Sequence, residues 1–189
     1  MVASPVRPAT IALLSLFAAG CASTPEWGAT SGNLPAPYIK DTRVVTPDSP
    51  LECVAYARSR SGIVIYGDAG TWWDKADGRY ARGSEPLLGS VMVLTGYARP
   101  GRGHLGVVTN LLSEREIRID HANWLDDGAI YLDDPVVDVS PENDWTEVRV
   151  WNPKTLSWGV RTYLVQGFIG PASTARQQRI SSTDAGNPG

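Results

Sequence analysis

From Ser90 to Trp151 the chain is a succession of short apolar or alternating runs, and no other feature constrains its fold as strongly. Ser90–Leu94, Leu105–Asn110, Ile117–His121 and Glu147–Trp151 each read as a strand. Turns rich in Gly, Pro, Asp or Asn separate most of them. Two helical stretches come first. Ser49-Pro50 opens one, because serine can cap a helix and proline is tolerated in its first turn, and Leu51, Val54, Ala55 and Arg58 follow at helical spacing. Residues 70–76, around Trp72 and Trp73, form the second. Helices followed by a run of strands predict an α+β domain with a mostly antiparallel sheet.

The 189 residues leave room for one domain with extensions. A hydrophobic content of 42% is that of a globular core. The net charge of −3 lacks the basic excess that a phosphate-binding surface needs, so no nucleic-acid partner is expected. Seven tryptophans and seven tyrosines stand against two phenylalanines. Their rings join an apolar body to a polar handle, which suits a groove for a polar ligand as well as a core. Trp72, Trp73 and Trp124 are the candidates to line such a groove.

Residues 9–20 form an apolar, small-residue segment of signal-peptide length, too short to span a bilayer. It ends in Ala18-Ala19-Gly20-Cys21, which resembles a bacterial lipobox. The resemblance implies a leader over 1–20 and a mature chain that starts at a lipidated Cys21, held on a membrane by several acyl chains. Ala22 after the modified cysteine implies the outer membrane, facing the periplasm. Ordinary signal cleavage with a soluble product is the alternative. Residues 21–49, rich in Ser, Thr, Pro, Gly and Ala, read as a flexible tether, 50–171 as the folded domain, and 172–189 as a disordered polar tail.

The chain has two cysteines and two histidines. With Cys21 acylated, Cys53 has no disulfide partner, and a lone exported thiol is either inert or kept for chemistry. Cys53 falls in the first turn of the first helix. A free thiol is mostly protonated at neutral pH, and a helix N-terminus and a neighbouring imidazolium both favour its thiolate. His104, flanked by Gly103 and Gly106, can supply the imidazolium and act as base. His121 or Asp120 can orient its other ring nitrogen, and since neighbouring strand residues face opposite ways, only one of them does so. Glu52 places a carboxylate beside the thiol, which opposes ionisation unless it turns away. Backbone N–H groups at the helix start are available for an oxyanion.

Four segments carry a more specific likeness. They are Glu52-Cys53-Val54-Ala55-Tyr56-Ala57-Arg58, Pro86-Leu87-Leu88-Gly89-Ser90-Val91-Met92-Val93, Gly103-His104-Leu105-Gly106-Val107-Val108 and Asp120-His121-Ala122-Asn123-Trp124. In this order they resemble the blocks of a CHAP domain, the cysteine- and histidine-dependent amidohydrolases and peptidases with a papain-like core. The resemblance implies helices packed on a mostly antiparallel sheet, Cys53 as nucleophile, His104 as base and His121 as third residue, with Asn123 and Trp124 in support. Its implied substrate is an amide bond of bacterial peptidoglycan, cut as an N-acetylmuramoyl-L-alanine amidase or a cross-bridge endopeptidase, with no cofactor. A catalytically silent module that binds peptidoglycan or a partner protein is the alternative, and a protein activator is left open.

No metal is expected. The intervals between Cys53, His104 and His121 match no compact zinc motif. Asp126, Asp127, Asp133, Asp134 and Asp138 lack the spacing of a calcium loop, and this stretch reads as a solvated acidic loop.

Overall fold

A computed structural model describes residues 34, 36, 37, 39, 41–99 and 101–170. The leader over 1–20, Cys21, most of the stretch read as a tether and the 172–189 tail lie outside the described residues. The elements run β1 (Arg43–Val45), α1 (Cys53–Ser61), a 3-10 turn (Ala69–Thr71) leading into α2 (Trp72–Ala76), β2 (Arg82–Gly83), β3 (Val91–Thr95), β4 (His104–Leu111), β5 (Glu116–Ala122), β6 (Ile130–Asp138), β7 (Glu147–Asn152), β8 (Ser157–Trp158) and β9 (Tyr163–Ile169).

Every strand pairing is antiparallel. Following neighbours from β6 through β5, β4, β3, β9 and β7 leads back to β6, so these strands close a barrel. Closure removes the exposed edges that an open sheet would present. The fold is α+β, with two α-helices among the described residues beside a sheet larger than expected. Two boundaries differ from expectation. β1 pairs with β6 inside the stretch read as a tether, so the folded body begins before residue 50. Three residues carry too little periodicity to announce a strand, and pairing alone defines this one. The segment Asp126–Asp138 is not a solvated loop either: β6 occupies most of it, and Asp134 and Asp138 are fully buried.

Strand alternation sorts the core into two clusters. Met92, Leu94, Val108, Ile117, Ile119 and Phe168 join one cluster with Trp124, Tyr131 and Trp145. Val91, Val93, Leu105, Val107 and Ile169 point the other way, and Ala57, Trp72 and Ala76 complete a second cluster with them. β3 is thus covered on both faces, which explains its unbroken apolar run.

The helix carrying the thiol starts later than Ser49-Pro50 suggested. Glu52 is its N-cap and makes no side-chain capping bond, so Cys53 is the first helical residue. Pro50 and Leu51 are used elsewhere. The Leu51 N–H donates to the Gly128 carbonyl at 3.0 Å, and a Cβ on Gly128 would come within 2.5 Å of Pro50 Cβ. Gly128 also has φ of 66°, so both space and backbone require glycine there. The Asn123 side-chain oxygen accepts the Gly128 N–H at 2.8 Å, and its amide donates to Glu52 at 3.2 Å. The turn after β5 therefore clamps the start of α1.

A second glycine contact seats the β3–β4 loop. A Cβ on Gly103 would lie 2.6 Å from the Gly70 nitrogen and 2.9 Å from the Leu94 carbonyl oxygen, both backbone atoms that cannot swing aside. Gly103→Ala is expected to cost about 1–3 kcal/mol and lower the melting temperature by several degrees in a thermal melt. An unchanged melting temperature would show that this backbone contact is loose.

Candidate active site

The site forms where α1 meets β4 and β5. The fully buried His104 and His121 meet, with Nε2 of His104 2.9 Å from Nδ1 of His121. His121 Nε2 in turn lies 3.0 Å from a carboxylate oxygen of Asp134, also fully buried. Asp134 is reached because β5 and β6 pair with Ile119 opposite it, and the register then shifts before His121. The bulge aims His121 and Asp134 at each other.

The charge on Asp134 decides the proton positions along this line. An ionised Asp134 only accepts, so His121 carries its proton on Nε2 and offers the lone pair of Nδ1. His104 must then donate from Nε2, which leaves its Nδ1 unprotonated and free to take a proton from a thiol. Cys53, half-buried, sits at the same place, where the backbone N–H groups of Leu105, the residue after His104, and of Val54 favour its thiolate.

The electrostatics differ from the sequence expectation. Burial pushes the Cys53 thiol up from its ordinary range, the Glu52 carboxylate adds to the rise, and the two backbone N–H groups and Arg102 oppose it. His104 is held well below the usual imidazole range, first by burial and then by His121 and Arg102. Desolvation of two charges outweighs the helix-terminus effect, so the resting pair is a neutral thiol beside a neutral imidazole. Burial also pushes Asp134 up, while the His121 hydrogen bond and Arg118 pull it down. Its second carboxylate oxygen meets no hydrogen-bond donor among the described residues.

Aromatic rings pack around the histidines. Trp124 meets His104 edge-on at 4.9 Å between centroids and lies 5.3 Å from His121. Tyr97 lies 4.8 Å from His104, and Tyr131 lies 5.3 Å from His121. These rings exclude water and hold both imidazoles in place.

Several supporting residues sit differently from expectation. Asp120 faces away from the histidines: it is paired with Arg60 of α1 at 2.9 Å and accepts the Asp133 N–H. It fastens the helix to the sheet, and strand alternation makes this role incompatible with orienting His104. Trp72 is fully buried in the core and lines no groove. Trp73 packs against Gly167 and lies under Arg82. Trp124 is a buried support for the histidines, and Asn123 holds the Glu52 clamp. Asp134 was missed. Its only signal was a carboxylate in an acidic stretch, and nothing in the pattern marked it as buried.

Residues 45–123 match the family model of the CHAP domain. Over that stretch the chain is similar to the CHAP domain, a cysteine/histidine-dependent amidohydrolase and peptidase family. No curated protein and no solved structure matches the chain significantly. Cys53, His104 and His121 fall inside the matched residues, and Asp134 falls beyond them.

Glu52 has a measurable consequence. Because its charge raises the thiol pKa, Glu52→Gln should lower that pKa and speed iodoacetamide alkylation at neutral pH by a few-fold. Alkylation of the unaltered chain should stay slow at mildly acidic pH. Equal rates in the two proteins would show that Glu52 does not act on the sulfur.

Proposed function

We propose that this protein hydrolyses an amide bond of peptidoglycan by thiol catalysis, with Cys53 as nucleophile and His104 as base. The observation that supports it best is the hydrogen-bonded line from His104 through His121 to Asp134, set on the strands against which the Cys53 helix packs. The likeness of residues 45–123 to the CHAP family supports the reaction class.

The chemistry follows from that line. His104 Nδ1 takes the thiol proton as the sulfur attacks the carbonyl carbon, and the oxyanion is received by the free N–H at the start of α1. The C–N bond then breaks, and the same proton passes from His104 to the leaving amine, which leaves a thioester on Cys53. A water molecule gives its proton to His104 and attacks the thioester, releasing the carboxylic acid and restoring the thiol. In both halves His104 becomes cationic for a moment. His121 accepts its Nε2 proton in a hydrogen bond, and the Asp134 charge stabilises the cation from one residue further away. Asp134 is thus a positioning residue.

The proposal includes the envelope. Ala18-Ala19-Gly20-Cys21 supports a lipid on Cys21, with the domain anchored in the outer membrane and facing the periplasm. Labelled palmitate incorporated into the full chain, and lost in Cys21→Ser, is the expected result.

Digestion of purified peptidoglycan by the full-length chain in detergent should release fragments seen by mass spectrometry, and Cys53→Ala should release none. Fragment masses name the amide that is cut. Wall binding without release by either protein would favour the silent module, which the raised thiol pKa also favours. The pH dependence has a definite sign. A lowered His104 pKa keeps the ring unprotonated across the neutral range, so the acid limb of kcat/KM should lie below the ordinary histidine range near pH 6.5.

Asp134→Asn should lower kcat by about 100-fold with little change in KM. A carboxyl whose folded pKa is raised loses folding stability as pH rises from its unfolded pKa through its folded one. The Asn variant should therefore not melt earlier than the parent at neutral pH. A melting temperature that falls together with kcat would mark Asp134 as merely structural.

A further inference from the structure

Beside Cys53 opens a cavity of about 740 Å³, and its walls carry charge of unequal sign. Arg58, Arg99 and Arg102 line it against the carboxylates of Glu52 and Asp68. Glu52 is already engaged by the Asn123 amide. Arg58 is held in place by its guanidinium, which lies 4.7 Å from the Tyr66 ring centroid and donates to the Ile65 carbonyl. Among the described residues, the side chains of Arg99 and Arg102 form no ion pair with a carboxylate.

The position of these two arginines is set by backbone. The Arg102 N–H donates to the Arg99 carbonyl at 3.0 Å, and the Tyr97 N–H donates to the Arg102 carbonyl at 2.7 Å, which closes the β3–β4 loop. Gly70 and Gly103 then press the loop onto the turn before α2, at distances that no side chain would allow. Arg102 is close enough to both Cys53 and His104 for its charge to hold their pKa values down. A positive wall therefore stands within electrostatic reach of the reacting atoms. A guanidinium presents paired donors that match a carboxylate, and in a recessed site this match is worth more than at an open surface.

We propose that this cavity recognises a free carboxylate on the substrate, close to the scissile amide. The inference rests on the hydrolase reading for what the substrate is, though the binding preference can be measured without catalysis. It makes the enzyme selective for acidic peptide stems over the same stems with their carboxylates amidated. Arg102 holds the carboxylate nearest the thiol, and Arg58 and Arg99 extend the positive wall along the rest of the peptide.

The test uses the full-length chain carrying Cys53→Ala, in detergent, titrated calorimetrically with an N-acetylmuramoyl tripeptide. One sample of the peptide keeps its carboxylates free, and the other has them all converted to carboxamides. The free acid should bind about tenfold more tightly. Adding Arg99→Gln and Arg102→Gln should bring the two affinities within about twofold, and the corresponding Lys substitutions should retain part of the preference. Equal affinities in the parent, a preference that survives loss of both arginines, or no binding of either peptide would overturn the proposal. Cleavage trials with unaltered Cys53 separate it from the parent reading. Selective binding without turnover of either peptide would remove the hydrolase and keep the carboxylate site. Turnover of both peptides at equal kcat/KM would do the reverse.

Discussion

A buried carboxylate at the end of a two-histidine line is the constraint on which the site depends. Asp134, His121 and His104 are all shut away from solvent, so the cost of an uncompensated charge or an unpaired ring nitrogen is high. Each hydrogen bond in the line settles the next. An acceptor at Asp134 dictates the tautomer of His121, and His121 dictates that of His104. Burial raises the pKa of Asp134, and the His121 hydrogen bond and Arg118 oppose that rise.

The barrel makes this arrangement rigid. β4, β5 and β6 are neighbours in the closed ring, so the three members of the line come from three hydrogen-bonded strands. Cys53 arrives from outside the ring on α1, and three separate ties fix its position. Arg60 pairs with Asp120 on β5, Leu51 bonds to Gly128, and Glu52 is held by Asn123. The Glu52 tie has a chemical effect as well, because the carboxylate it holds by the thiol raises the thiol pKa. Burial thus favours the neutral thiol at Cys53 and the neutral imidazole at His104.

The parts of this design that the sequence displayed were those with local signals. Cys53 at a helix start, His104 between glycines and the apolar runs of β3, β4, β5 and β7 all stood out by pattern, and each lies close to where it was expected. What escaped detection depends on pairing across the sheet. β1 is defined by three residues that pair with β6, and β6 itself was hidden because Asp133, Asp134 and Asp138 interrupt its apolar pattern. Asp134 lies thirteen residues from His121 in the chain and opposite Ile119 in the sheet, so only the register with its bulge reveals the contact. The tryptophans misled for a related reason. Composition shows that Trp72 and Trp124 are amphipathic, but packing decides that one fills the core and the other backs the histidines.

The central claim concerns the position of one proton, and the chain's two histidines make it directly observable. Nitrogen NMR of the full-length chain, with ring-labelled histidine, distinguishes protonated from unprotonated ring nitrogens at neutral pH. The account predicts that both rings are neutral and protonated on Nε2, with an unprotonated Nδ1 on each. A proton on Nδ1 of His104 would contradict it, because the line would then run the other way and leave no base for Cys53.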